Sequence, residues 1–196
     1  MKITPQAIPE VVLIEPKVFG DARGYFFESY RQDALEAATG HRLHFMQDNE
    51  SLSARGVLRG LHYQQAPYAQ SKLVRVVSGD VIDVAVDIRI GSPTFGQHVC
   101  ARLNSDNKHQ LFVPRGFAHG FIVLSETAIF TYKVDNPYAP EHDRGISYSD
   151  PALAIDWQLP KEQIQTSDKD GALPTLKDRL ESAPETLFQY EQALYD

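Results

Sequence analysis

The stretch Val81-Ile82-Asp83-Val84-Ala85-Val86-Asp87-Ile88-Arg89 constrains the fold more than any other part of the chain. Ile82, Val84, Val86 and Ile88 recur at every second position, while Asp83, Asp87 and Arg89 take the alternate positions. A period of two belongs to extended backbone, where successive side chains point to opposite faces. Ser78-Gly79-Asp80 before it is a tight-turn signal, which predicts a hairpin. Similar β-like runs occupy residues 11–15, 25–30, 43–47, 72–77, 97–103, 110–113, 120–124 and 128–134, with Gly, Pro, Asn and Asp between them. A helix is expected over 31–39, stopped by Gly40, and two short ones over 176–180 and 185–194 on a polar tail. No internal repeat, low-complexity tract or linker interrupts the chain. Many short strands at close spacing predict a mostly β sandwich or barrel. Residues 1–196 are expected to form one domain, with a short helical tail from about 172 to 196.

A chain of 196 residues buries a full core without staples. Its formal net charge of -7 makes it a poor general binder of nucleic acid or of an anionic membrane surface. An anionic small molecule still fits wherever Arg and Lys are gathered locally. The one cysteine, Cys100, forms no internal disulfide, and no Cys/His cluster has zinc spacing. The first residues lack the apolar core of a signal peptide, and no apolar run is long enough to span a bilayer. A cytoplasmic protein is expected.

Two segments concentrate chemically capable side chains. Gly56-Val57-Leu58-Arg59-Gly60-Leu61-His62-Tyr63-Gln64 sets Arg59 and His62 among apolar residues. Strict alternation sends them to opposite faces, whereas a bulge at Gly60 unites them. Val113-Pro114-Arg115-Gly116-Phe117-Ala118-His119-Gly120-Phe121 is the second, where His119 is a core histidine or a site residue. Lys72 shares a strand face with Val74 and Val76; its ammonium reaches water, or it points into an apolar barrel toward an anion. Tyr132 follows Phe130 at strand spacing, so its ring faces the core and its phenol needs a partner. Phe19 to Glu28 reads as a loop entering a strand, and Ser167-Asp168-Lys169-Asp170-Gly171 as a charged surface turn.

Together these segments resemble the dTDP-4-dehydrorhamnose 3,5-epimerase family, a branch of the cupin superfamily. The similarity runs from about Pro16 to Asp170. It is carried by the 21–28, 47–49 and 56–64 segments, Lys72-Leu73-Val74, the 113–121 segment, Tyr132-Lys133, Tyr138-Ala139-Pro140 and Arg144-Gly145-Ile146. The resemblance implies a jelly-roll (cupin-type) β-barrel with a few short peripheral helices. It also implies a homodimer that exchanges N-terminal strand contacts, and no cofactor or metal. The implied substrate is a dTDP-4-keto-6-deoxyhexose, inverted at C3 and C5 in dTDP-L-rhamnose biosynthesis. His62 matches the catalytic base, Asp170 its partner carboxylate and Tyr132 the acid. Arg59, Lys72 and His119 match residues lining the sugar and diphosphate site. Arg23, Glu28, Gln47, Asn49 and Lys169 match nucleotide or substrate contacts, and Phe19 and Tyr138 the aromatics at the thymine or the mouth. Where the family usually carries Glu, this chain has Asp143.

The chemistry suits these residue types. Protons on carbons beside a ketone are acidic, and inversion needs a base on one face, an acid on the other and a cation for the enolate oxygen. Free imidazole titrates at about 6.5 and a free phenol near 10, which suits His62 as base and Tyr132 as acid. Lys72 supplies the charge, and Arg59 can grip a phosphate in bidentate fashion. Three competing expectations remain. One is inversion at C3 or C5 alone. Another is a metal-dependent cupin, for which His62 and His119 are too few ligands. The third is a sugar-binding module without activity.

Overall fold

The structure, a computed structural model, describes residues 1–195. Strands β1 (Lys2–Pro5) and β2 (Val12–Glu15) precede a hairpin of β3 (Val18–Asp21) and β4 (Gly24–Phe27) and a helix α1 (Gln32–Thr39). Then come β5 (Gln47–Ala54), β6 (Leu58–Gln64), β7 (Lys72–Ser78), β8 (Asp80–Asp87), β9 (Arg89–Ile90) and β10 (His98–Asn104). β11 (Gln110–Val113), β12 (Phe117–Val123), β13 (Thr127–Val134) and β14 (Asp143–Gly145) complete the main sheets. Helices α2 (Asp168–Gly171) and α3 (Leu176–Ser182) and strand β15 (Phe188–Gln189) follow.

Two antiparallel sheets face each other in the expected jelly roll, one ordered β1-β2-β11-β7-β13-β5 and the other β10-β8-β12-β6-β14. Hydrogen bonding does not close them into a continuous barrel. Val74, Val76, Leu111, Val113 and Phe130 of the first meet Val81, Ala85, Val99, Leu103 and Phe121 of the second in the central core. Each sheet also has a covered outer face. On the six-stranded sheet, Val12, Ile14, Leu73 and Phe112 pack with Leu35 of α1 and Leu43. On the five-stranded sheet, Leu58, Leu61, Ile82, Val84 and Ile122 pack under Leu153, Trp157, Leu176, Leu187 and Phe188. The polar-looking C-terminal segment is therefore a lid over apolar strand faces, and burying it is worth about 25 cal/mol per Å².

Four sequence expectations change. Ser78-Gly79-Asp80 is a corner and not a hairpin turn, because β7 and β8 lie in different sheets. Gly79 has φ +90°, and a Cβ there would stand 2.2 Å from Thr127 O. The 81–89 run ends as a strand at Asp87, and both of its faces are buried: the regular apolar side lies under the lid, and Asp83 faces inward. Residues 43–46 are irregular, since Leu43 N–H bonds the Glu36 side chain at 2.9 Å rather than a strand partner. The segment 185–194 is not a helix. A single 3-10 turn, Pro184–Thr186, leads into β15, which pairs in parallel with β9. Gly40 does end α1, in the left-handed region at φ 74°.

Candidate active site

A cavity of about 400 Å³ opens between the two sheets. Its position follows from one irregularity in β6. β12 pairs His119 with His62 but Phe121 with Arg59, so β6 has one extra residue there. That bulge reverses the alternation. Leu58, Leu61 and Tyr63 all join the outer core, while Arg59 and His62 both turn into the cavity. Gly60 makes it feasible: its φ is +128°, and a Cβ would lie 2.7 Å from Gly120 Cα and 2.8 Å from His119 O.

The bulge also supplies a hydrogen bond. Gly60 N–H donates to Asp170 Oδ2 at 3.1 Å, while Asp170 Oδ1 lies 2.7 Å from His62 Nε2. Ser167, the N-cap of α2, accepts from Asp170 N–H at 3.1 Å and fixes the turn that brings Asp170 in. Burial alone pushes the Asp170 carboxyl up, but the bonds from His62 and Gly60 and the Lys169 charge hold it below the usual carboxylate range. Asp170 is thus an anion positioned to orient the His62 ring. The charged surface turn of the sequence reading is in fact one wall of the site.

Tyr132 and Lys72 enter from the opposite sheet, on β13 and β7. The Lys72 ammonium stands 5.7 Å from the centre of the Tyr132 ring. Burial pushes Lys72 down to about 8, against the pull of Asp143 and Asp83. Burial raises Tyr132, helped by Asp143 and Tyr138 and opposed by Arg59, so the phenol keeps its proton at neutral pH. Arg59 donates from Nε to Ser53 Oγ at 3.1 Å.

Asn49, Arg59, His62, Lys72, His119, Tyr132, Lys169 and Asp170 therefore line one cavity. Gln47 joins through Asn49, donating at 2.8 Å. Asp143 accepts from Lys169 Nζ at 2.5 Å and from the Tyr138 hydroxyl at 3.3 Å. Phe19, Arg23 and Glu28 are not brought in. They sit on or beside the exposed β3–β4 hairpin, where Arg23 pairs with Asp21 at 2.6 Å and Glu28 lies 4.0 Å from Arg31.

Asp83 is the inward-facing residue that sequence reasoning missed. It is fully buried, and its Oδ1 lies 2.8 Å from His119 Nε2. Burial raises Asp83 and lowers His119, so both move toward their neutral forms. Asp83 Oδ2 has no hydrogen-bond partner among the described residues. The available signal was a carboxylate inside a continuous apolar run.

Among the described residues no three His, Cys, Asp or Glu side chains gather as a metal site, and no helix is long and apolar enough to cross a membrane. A larger cleft of about 770 Å³ lies outside the six-stranded sheet, where the C-terminal residues meet Arg115 and Asp135.

The model of the dTDP-4-dehydrorhamnose 3,5-epimerase family matches residues 5–178. A dTDP-4-dehydrorhamnose 3,5-epimerase of Pseudomonas aeruginosa is 62% identical over 159 residues, covering 81% of this chain and 87% of the relative. One of Shigella flexneri is 54% identical over 170 residues, covering 87% and 93%. A solved dTDP-6-deoxy-D-glucose-3,5-epimerase of Legionella pneumophila, in complex with dTDP-4-keto-L-rhamnose, superposes with a TM-score of 0.91 at 49% identity, covering 97% of this chain and 99% of that one. With the motifs, the jelly roll and the cavity all in agreement, the chain belongs to the dTDP-4-dehydrorhamnose 3,5-epimerase family.

Proposed function

We propose that the chain epimerises dTDP-4-dehydro-6-deoxy-D-glucose at C3 and C5, giving dTDP-4-dehydro-L-rhamnose. The observation that carries this is the placement of the His62–Asp170 pair and the Tyr132 phenol on facing sheets of one cavity, with Lys72 beside the phenol. His62 takes the proton from a carbon beside the ketone, and Asp170 stabilises the imidazolium. The electron pair moves onto the ketone oxygen, where Lys72 meets the enolate charge; one such donor is worth roughly 3–4 kcal/mol of barrier. Tyr132 returns a proton to the opposite face, inverting the centre; His62 then gives its proton to solvent and the Tyr132 phenolate takes one back before the second centre reacts. Arg59 holds phosphate. Proton transfer alone needs no redox cofactor.

The working unit is a homodimer. In support, the β3–β4 hairpin exposes Phe19, Tyr25 and Phe26, at 54%, 61% and 71%, and Phe19, Arg23 and Glu28 lie away from their own chain's cavity. A hairpin donated to the partner's cavity accounts for both observations. A cytoplasmic location belongs to the same proposal and fits the single thiol.

The test is incubation with dTDP-4-keto-6-deoxyglucose in D2O containing a chelator, followed by NMR. Deuterium and inversion at both C3 and C5 are expected. Inversion at one carbon alone would reduce the activity to a single-centre epimerase. Rescue of a dead reaction by one divalent metal would point to a metal-dependent cupin, and persistent inertness to a binding module.

A further inference from the structure

Ser71, immediately before Lys72, is fully buried on the outer side of the six-stranded sheet. Its N–H donates to Asp135 Oδ1 at 2.6 Å. Asp135 Oδ2 accepts from Arg115 Nε at 3.2 Å. Lys72 pairs with Val113 of β11 and with Val134 of β13. Ser71, Arg115 and Asp135 therefore lie at or just past the adjoining ends of three neighbouring strands.

The C-terminal tail completes this cluster. Tyr195 Oη lies 2.8 Å from Ser71 Oγ and accepts from Arg115 N–H at 2.9 Å. Arg115 Nη1 donates to Leu194 O at 2.5 Å. The Tyr195 ring stacks on His41, with centroids 3.8 Å apart and planes 12° apart. Tyr195 also lies outside the residues matched by the family model.

We propose that Tyr195 is a positioning residue for catalysis: from outside the sheet it locks Ser71 against Arg115 and Asp135, and so fixes the backbone from which Lys72 reaches the cavity. This rests on the reading of Lys72 as the cation that meets the enolate. Alternation makes the coupling direct, because Ser71 faces the tail and the next residue faces the substrate. A lysine ammonium stands at the end of four rotatable bonds, so a small shift at its Cα displaces the charge that must meet the enolate oxygen. Displacement of about 1 Å at a reacting centre can cost up to about 100-fold in rate. Burial also pushes the Tyr195 phenol up to about 12, so the hydroxyl keeps its proton across the working pH range.

The test uses the full chain with Tyr195→Phe, which keeps the ring and its stacking on His41, and with Ser71→Ala as a second break in the same node. Each is measured alone and combined with Lys72→Met. Both single variants are expected to lower kcat about tenfold while KM stays within about twofold, since the loss falls on the transition state. In the Lys72→Met background neither should lower kcat further, because the route to the reaction has been removed. Wild-type kcat in a folded Tyr195→Phe protein overturns the proposal, as does a full additional loss in the Lys72→Met background. If Lys72→Met itself turns over normally, the reading of Lys72 fails. An impaired Lys72→Met beside a normal Tyr195→Phe leaves that reading intact and removes only the role of the tail.

Discussion

At the scale of single residues, the proposed mechanism assigns proton removal to one wall of the cavity and proton return to the other. Tyr132→Phe deletes one oxygen and keeps the ring that neighbours Phe130. The variant should still wash deuterium into C3 or C5 of recovered substrate, because His62 can take a proton and hand one back on its own face. Inversion should fall roughly 100- to 10,000-fold, the usual worth of a general acid. NMR of a folded variant gives both rates, and equal rates would remove the phenol from the mechanism. Lys72 gives a pH signature. Its ammonium is held at about 8 in an environment that includes Asp83, Asp143, His119 and Tyr132. The charged form prevails below that value and is lost above it, so kcat should decline as pH rises through about 8. A flat profile to pH 10 at saturating substrate would refute the role. His62, Lys72 and Tyr132 are legible in the sequence as residue types, while the roles proposed for them come from the family resemblance. Asp83 is not legible, because alternation shows that a carboxylate shares a strand side but not that the side is sealed from water. Only the facing sheet and His119 reveal that.

At the scale of elements, the site depends on the irregular turn of β6 more than on any regular strand. Gly60→Ala places a methyl against the Gly120 backbone in a conformation that side chains rarely adopt. It should destabilise the protein by about 3 kcal/mol, lowering Tm by roughly 6–12 °C for a chain of this size. It should also turn His62 off Asp170. A melt within 2 °C of wild type with normal turnover would show that the bulge is dispensable. The sequence offered Gly60 as a possible bulge but left its face open, because the deciding contact comes from Gly120, sixty residues later. The corner at Gly79 is hidden for a related reason: a positive-φ glycine suits a hairpin or a change of sheet equally, and the sheet order that distinguishes them is set by strands distant in sequence. The 185–194 segment looked helical because Glu, Gln and Ala favour helices; the parallel pairing of Phe188 with Arg89 overrides that preference.

At the scale of the whole molecule, the exposed hairpin bears on assembly. Phe26→Asp should yield monomers by sedimentation and cut activity with them, since an aromatic surface of this kind is costly to leave in water. His62→Asn and Arg23→Ala should each be inactive, and mixing the two chains should restore activity that neither has alone, because one mixed site would carry both native residues. Failure to complement in confirmed mixed dimers would place Arg23 outside the shared site. Fold class was readable from alternation, but oligomeric shape was not, since single-sequence periodicity cannot tell which apolar face meets a second chain. The lid over the five-stranded sheet has a consequence for synthesis. β8 is made by residue 87, yet its outer apolar row is covered by Leu153, Trp157, Leu176, Leu187 and Phe188. A ribosome adds about 5–20 residues per second, so that row waits several seconds for its cover. The nascent chain passes through a stage in which the jelly roll is translated but greasy on one side, and the stretch from Leu153 to Phe188 is the one that shields it.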